Sequence, residues 1–325
     1  MKLSRRRLLK LTGTAIVLPG LPRCALAHAW PTRPVRILVG FAAGGGYDIK
    51  ARLIGKWLSE RLGQAFIVEN RPGAGTNIAT EACVNAPADG YTLLMLGLPN
   101  AANATLYTNL RFNFLRDIAP VAGLLREPFV VETNPSLPVR TISGLIDYAN
   151  ANPSKINMAS AGVGSGNHLA GALFEMKTGI RLVHVPYRGA SPALTDLLGG
   201  RAQVMFASMS SSIGYVLGGK VRALAVTTRR PSPLLPDTPT VAQTVPDYEF
   251  SFWNGVGVRS GTSAEIIETL NTEINAALGD TNFKVRLAEE GGTPLPGSPA
   301  DFVKLITEET EKWGKVIRAA NISLS

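Results

Sequence analysis

The sequence predicts an α/β protein built of two doubly wound units. Three observations predict it. Short apolar runs that end in glycine alternate with helical apolar faces. The alternation occurs twice, over stretches of similar size. A chain of 325 residues suits two ordinary domains better than one.

Ahead of the first unit lies a leader. Ser4-Arg5-Arg6-Arg7-Leu8-Leu9-Lys10 sets adjacent arginines before an apolar run, Leu11 to Leu21. Ala25-Leu26-Ala27 and Ala27-His28-Ala29 each fit a small-x-small cleavage site. Residues 1–29 therefore read as a cleavable export signal of the twin-arginine kind, cut near Ala27 or Ala29. The protein is then expected in the periplasm. The apolar run is too short for a permanent membrane span. Cys24 follows Leu21-Pro22-Arg23, a poor context for a lipid anchor.

The first unit starts with Val35 to Phe41, an apolar run ending in glycines, as a buried parallel strand should be. Asp48 to Leu62 carries Ile49, Leu53, Ile54, Trp57, Leu58 and Leu62 on one helical face. Phe66 to Glu69 is a second strand, Gly73-Ala74-Gly75 ends it, and Thr76 to Val84 starts a second helix. Asp89-Gly90 turns into a strand over Tyr91 to Gly97. A crossing segment follows. The pattern resumes with a helix over Thr141 to Ala151, capped by Thr141 or Ser143. Then come strand Ile156 to Ala159, the loop Gly162-Val163-Gly164-Ser165-Gly166 and helix Asn167 to Thr178. Strand Leu182 to Val185 leads to the Tyr187-Arg188-Gly189 turn and helix Ser191 to Leu198. Ala202 to Phe206 and Val221 to Thr227 are further strands. Ser263 to Leu278, Thr281 to Glu290 and Pro299 to Ala320 are helices. The second unit reads as an insertion, so residues 30–127 with 248–325 form one domain and 128–247 the other. A Pro-rich stretch, Pro231 to Pro236, follows the strand that leads back.

Charge excludes some partners. The chain has 33 Lys+Arg against 24 Asp+Glu, net +9. Six of the bases and none of the acids lie in residues 1–27, which leaves 27 against 24, or +3. The high pI belongs mainly to the leader and is no sign of nucleic-acid binding. Without Cys24, Cys83 is alone and forms no intramolecular disulfide. Its spacing with Ile78, Ala79 and Ala82 makes it a small buried hydrophobe. No Cys/His cluster and no HExxH is present, so neither a metal nor another cofactor is expected.

Three glycine loops stand where strands end and helices begin: 43–46, 72–75 and 162–166. Helix starts offer unpaired N–H groups and partial positive charge, and glycine lets a ligand approach. Together they predict a site for a small anion. Asp48, Thr76 and Ser165 each either cap a helix or meet the ligand. His168 either lines the crevice or fills the core, whereas His184 reads as structural. Arg188 either offers a fork to a second carboxylate or is solvated. Trp253 either walls a pocket or fills the hinge.

Five segments in order then resemble a known family: Phe41-Ala42-Ala43-Gly44-Gly45-Gly46-Tyr47-Asp48, Val68-Glu69-Asn70-Arg71-Pro72-Gly73-Ala74-Gly75, Ala88-Asp89-Gly90-Tyr91-Thr92-Leu93-Leu94, His168 to Phe174, and His184-Val185-Pro186-Tyr187-Arg188-Gly189. Ala193 to Gly200 and Leu224 to Thr227 follow. The chain resembles the Bug family, the extracytoplasmic substrate-binding receptors of tripartite tricarboxylate transporters. The resemblance implies a Venus-flytrap (type II-like periplasmic binding protein) fold, its two domains joined by a hinge. It implies a monomer that closes on a small organic carboxylate and delivers it to integral-membrane permease subunits. It implies that Phe41, Gly45, Tyr47 and Asp48, with Ala74, Gly75, Thr76 and Asn77, grip one carboxylate. Gly164, Ser165, Tyr187, Arg188 and Gly189 contribute from the other domain. Leu98, Ser208 and Trp253 join Tyr187 in reading the distal group. Three positions depart from the family pattern: Ala43 for proline, an added Gly46, and Arg188 for lysine.

Two rivals remain. One is an exported hydrolase using Ser165 and His168 with Asp48 or Asp196, although no serine has the G-x-S-x-G setting. The other is a receptor that feeds a sensor instead of a permease.

Overall fold

The computed structural model describes residues 30–319 and 322. The leader, its cleavage sites and Cys24 lie outside the described residues. In chain order the elements are β1 (Val35–Val39), α1 (Gly46–Leu62), β2 (Phe66–Asn70), α2 (Asn77–Val84), β3 (Thr92–Gly97), α3 (Leu98–Leu106), α4 (Phe114–Asp117) and β4 (Ile118–Thr133). Then follow α5 (Ile142–Ala151), β5 (Asn157–Ser160), α6 (Gly166–Thr178), β6 (Val183–Pro186), α7 (Ala190–Leu198), β7 (Val204–Ser208), α8 (Met209–Leu217) and β8 (Arg222–Val226). The chain closes with β9 (Ser251–Arg259), α9 (Ala264–Gly279), α10 (Thr281–Glu289), β10 (Thr293–Pro294) and α11 (Pro299–Ala319).

Among the described residues ten strands share one curled sheet in the order β2-β1-β3-β9-β4-β7-β5-β6, with β8 and β10 also on β4. In one half β1 pairs in parallel with β2 and β3, and β9 lies antiparallel between β3 and β4. In the other half β5 pairs in parallel with β6 and β7, and β7 runs antiparallel to β4. β4 links the halves. It pairs with β9 as far as Pro128 and with β7 from Phe129 onward. Helices cover both halves, as expected of doubly wound sheets whose strands are buried on two faces.

Local chemistry explains most boundaries. Ile37, Leu38 and Val39 are buried, so β1 is the apolar run that a two-sided strand requires. Gly55 lets α1 press on β1, because a Cβ there would stand 3.2 Å from Ile37. Gly63 ends α1 in the left-handed conformation with φ 71°, the usual role of a glycine after a helix. Thr141 caps α5 by accepting from Gly144 N–H, and Ser165 caps α6 by accepting from His168 N–H. On α11, Phe302, Ile306, Trp313 and Ile317 form the buried stripe, at the spacing of one helix face.

The elements missing from the sequence reading are instructive. The crossing segment contains a 16-residue strand, β4. Pro120, Gly123 and Pro128 disguise it; its register with β9 shifts between Pro120 and Ala122 and again between Gly123 and Leu125. Bulges are where a strand accommodates such residues. β9 is disguised by Asn254-Gly255-Val256-Gly257. A Cβ on Gly255 would collide with the Ala122 carbonyl and the Phe302 ring, so glycine there serves close packing. α3 starts with Pro99 in its first turn, and Asn100 accepts from Gly97 N–H. α8 is a serine-rich helix with Met209, Ser210 and Ser212 buried.

Candidate functional site

The carboxyl ends of strands from both halves face one crevice, and the loops that start α1 and α6 enter it. The loops touch across it. Ala42 N–H donates to the Arg188 carbonyl at 3.1 Å, and the Ser191 hydroxyl donates to the Ala43 carbonyl at 2.8 Å. Gly189 has φ 156°, and a Cβ there would sit 2.8 Å from Ala42 N. Only glycine permits that approach. A second contact pairs the loop at Gly75 with the loop at Gly164. Cβ atoms on them would stand 2.8 Å from the Val163 carbonyl and from Asn103 Oδ1, respectively.

The loop before α2 is strained. Gly73, Ala74, Gly75 and Thr76 have φ of 135°, 46°, 59° and 89° in succession. A β-branched residue at positive φ is a genuine outlier, costing about 1–3 kcal/mol. Its surroundings hold Thr76 there. A Cβ on Gly40 would lie 2.6 Å from Thr76 Cβ, so the two backbones are in close contact. Asn103 Nδ2 donates to the Gly75 carbonyl, and Thr80 Oγ1 donates to the Thr76 carbonyl. Thr76 is buried, does not cap α2, and its hydroxyl has no partner. Asn77 Nδ2, Asn103 Oδ1, Tyr47 Oη and both amide atoms of Asn254 are likewise buried without partners. Buried polar atoms in folded proteins are nearly always satisfied. Tyr47 lines the cavity described next, and Thr76, Asn77 and Asn103 gather where the loop at Gly75 meets the loop at Gly164.

Beside them lies a mainly apolar cavity of about 30 Å³. Phe41, Tyr47, Phe129 and Phe252 form its walls. Their rings pack in sequence: Phe41–Tyr47 at 4.8 Å, Tyr47–Phe252 at 5.5 Å and Phe252–Phe129 at 5.2 Å. The floor is charged. Lys50 Nζ donates to Glu127 Oε1, with the side chains 1% and 0% exposed. Gly46 arches over this pair. A Cβ there would meet Ser208 Oγ at 2.7 Å, Ser210 Oγ at 2.8 Å and Lys50 Nζ at 3.3 Å. Burial, tempered by Lys50 and reinforced by Glu127, pushes the nearby Glu290 carboxyl up to about 7.

The residues singled out in the sequence divide between crevice and scaffold. Phe41, Gly45, Tyr47, Ser165 and Ser208 line the cavity. Ala74, Gly75, Thr76, Asn77 and Gly164 form the strained-loop contact described above. Asp48 is committed to the scaffold. Its carboxylate accepts from Gly44 N–H, Arg52 and Asn70. Burial raises its pKa, but those bonds, Arg52 first, outweigh burial and hold it below the ordinary value. Arg188 meets the crevice through its carbonyl while its side chain is exposed. Tyr187 turns to Asp196, donating at 2.6 Å, and Leu98 is wholly buried at the start of α3.

Trp253 does not line the cavity. Its indole N–H donates to Glu309 and its ring packs on Phe302, so α11 takes the side chain into the core. Ser165 and His168 do not form a nucleophile–base pair as placed. Ser165 Oγ accepts from the His168 amide, and His168 Nδ1 accepts from Gly164 N–H. His168 stacks on His184 at 3.9 Å. Burial first, then His184, lowers the His168 pKa to about 3, so the ring is neutral.

Sequence reasoning missed Lys50, Glu127, Phe129, Phe252, Asn103 and Asn254. Lys50 carried a signal: it shares a helical face with Ile54 and Leu58, where a base is out of place. The others sit on α3, β4 and β9, elements absent from the reading. Among the described residues no helix is long and apolar enough to cross a membrane, and no group of acids, His and Cys is arranged to hold a metal.

Residues 50–322 match the family model described as "Tripartite tricarboxylate transporter family receptor". The chain is 34% identical to protein BugT of Bordetella pertussis over 321 residues, covering 98% of each. Its fold matches a Rhodopseudomonas palustris protein solved with adipate, at 38% identity and TM-score 0.88, covering 90% of this chain and 99% of that one. It also matches MatC of Rhodopseudomonas palustris with bound malate, at 29% identity and TM-score 0.84, covering 89% and 100%.

Proposed function

This chain belongs to the family of tripartite tricarboxylate transporter receptors, and we propose on that premise how it captures its ligand. It is a periplasmic carboxylate-binding receptor of a tripartite tricarboxylate transporter. The ligand enters between the two halves of the sheet. Its carboxylate is held by the helix-start loops before α1 and α2 together with the Thr76 hydroxyl and the Asn77 amide. The loops at Gly164-Ser165 and Tyr187–Gly189 close over it. The observation that carries this reading is the set of buried, unpartnered polar atoms where loops from both halves meet.

The small cavity and the direct loop contacts describe a closed form. Admission of a ligand then requires the halves to part. β4 is the strand that crosses between them, and its handover from β9 to β7 at Pro128 and Phe129 supports a hinge there. The domains are 30–127 with 248–325, and 128–247. A ligand that touches both supplies the free energy of closure. The closed monomer docks on the permease subunits without chemical turnover. The His168 imidazole is a poor general base, because its Nδ1 already accepts from Gly164 N–H and burial lowers its pKa to about 3, which favours this over a hydrolase.

Calorimetric titration of the purified protein with small carboxylates tests the reading. Saturable binding of one of them is expected, weakened in Thr76→Ala by about 1–3 kcal/mol. Wild-type affinity in both Thr76→Ala and Ser165→Ala would sink the assignment of the site. Export follows the twin-arginine route. Replacing Arg5, Arg6 and Arg7 by lysine should leave the protein in the cytoplasm, and continued export would refute that route.

A further inference from the structure

We propose that closure of the receptor takes up a proton at Glu290, so that ligand is held more tightly at pH 6 than at pH 8. The inference rests on the receptor reading above and on the parting of the halves at Pro128 and Phe129. It adds a regulation to that same site.

Glu290 ends α10 at the seam between the halves. Gly291, next in the chain, has φ 76°, and a Cβ there would stand 2.9 Å from Met209 Cβ and 3.5 Å from Leu234. Met209 belongs to the second half, where it packs with Val130, Val226 and Leu235. The last turn of α10 therefore presses on the start of α8 while the crevice is closed. Glu290 Oε2 is buried there without a partner. The Lys50–Glu127 pair lies in the same seam. Glu127 Oε1 accepts from Lys50 Nζ, and its other oxygen stands 3.5 Å from the backbone N of Ser210, in the first turn of α8.

The charges that face Glu290 leave its carboxylate uncompensated. Lys50 from α1 favours the ionised form, while Glu127 from β4 and the neighbouring Glu289 oppose it. Lys50 is already committed to Glu127. Neither α8 nor β10 carries a charged residue. Arg126, whose strand pairs with β10, turns to Ser251, and Glu273 of α9 is engaged by Arg61. Burial first, with these charges, brings the Glu290 carboxyl up to about 7. Opening draws α8 away and lets water reach the carboxyl, which returns toward its ordinary 4.5. The closed form is thus the better proton acceptor. Its advantage is complete below pH 4.5 and is lost as pH rises to about 7. Glu132 is also raised, but its partner Ser212 belongs to the same half, so opening leaves its surroundings unchanged.

Calorimetric titration with adipate and with malate at pH 6 and pH 8 tests the link. Each titration is run in two buffers of different ionisation enthalpy, so that protons are counted. His168 and His184, lowered to about 3 and about 4, do not titrate in this range. Binding is expected to be about fivefold to tenfold weaker at pH 8, with close to one proton taken up per ligand at pH 6 and about a tenth of one at pH 8. Glu290→Gln keeps the shape and cannot ionise; it should bind equally at both pH values and take up no proton. Glu132→Gln should keep the full dependence. A wild-type affinity that does not fall, or a fall that survives in Glu290→Gln, overturns the inference and leaves the receptor reading standing. Small-angle scattering of the ligand-free protein gives a readout that needs no acid. Expansion between pH 6 and pH 8 that Glu290→Gln abolishes, without binding of either acid, upholds the proton link and overturns the receptor reading. Absence of both binding and any change of shape overturns the two together.

Discussion

Glu127 and Glu132 lie on the same strand, both are buried, and each meets a side chain from a helix. Glu127 faces the Lys50 ammonium; Glu132 faces only the hydroxyl of Ser212. Burial, partly offset by Ser212, pushes the Glu132 carboxyl up to about 8, so it is protonated at neutral pH. Its Oε1 has no partner. The contrast shows that depth alone does not decide whether a buried acid carries charge. The partner decides. An ammonium makes an ion pair beneath a ligand cavity, and a hydroxyl leaves a neutral acid between strands and α8.

The largest effect should come from breaking the first member alone. Glu127→Leu strands a buried lysine charge and should cost about 3–5 kcal/mol, read as a fall in melting temperature. Adding Lys50→Met should restore most of the loss, because a buried pair replaced by apolar side chains is often neutral. A double variant as unstable as the single one would mean that the pair supports the fold through contacts other than charge.

Glu132 should give the next effect, and with a definite sign. Its folded pKa is raised from 4.5 to about 8. The folded state therefore holds a proton that the unfolded state releases. The resulting stability is fully present below pH 4.5 and is lost as pH rises through about 8. Glu132→Gln keeps the shape and cannot ionise. It should exceed the parent by about 2–4 kcal/mol above pH 8 and match it near pH 4. Parallel stability curves for the two proteins from pH 4 to 9 would contradict a neutral Glu132.

Thr76 extends the comparison to a buried polar group with neither kind of partner. Thr76→Ala should change folding stability by less than about 1 kcal/mol, since no hydrogen bond is lost. It should weaken ligand binding by about 1–3 kcal/mol. A large loss of stability by chemical denaturation, with binding intact, would make the hydroxyl structural. The smallest effect belongs to an exposed helix start. Thr141→Ala removes the α5 cap and should cost about 1 kcal/mol without touching affinity.

The two-unit α/β architecture was legible because its signals are local. β1, α1, β5 and α6 each carry their own periodicity and a glycine or serine boundary. Thr141 and Ser165 cap their helices, as their positions suggested. β4 and β9 were not legible, because their prolines and glycines are tolerated through bulges and through Phe302 and Ala122, which are distant in sequence. The site divides the same way. Loop residues such as Gly45, Thr76 and Ser165 announce themselves by motif. Lys50 and Glu127 acquire meaning only together, and the fold alone brings α1 and β4 into contact. The sequence left Trp253 as either a pocket wall or a filler of the hinge for the same reason: its partner Glu309, which takes the indole N–H, is supplied by the last helix.

The position of β9 has a consequence for how the protein is made. β9 lies between β3 and β4 in the sheet, yet it is synthesised after the whole second half. Until residue 259 has left the ribosome, β3 and β4 each present an open edge, since in the finished sheet both bond to β9 and not to each other. The half of the molecule begun first is therefore completed last. Closure between such distant segments is slow, and exposed strand edges invite mispairing in the interval. The nascent chain must spend that interval either held unfolded or folded only in its second half.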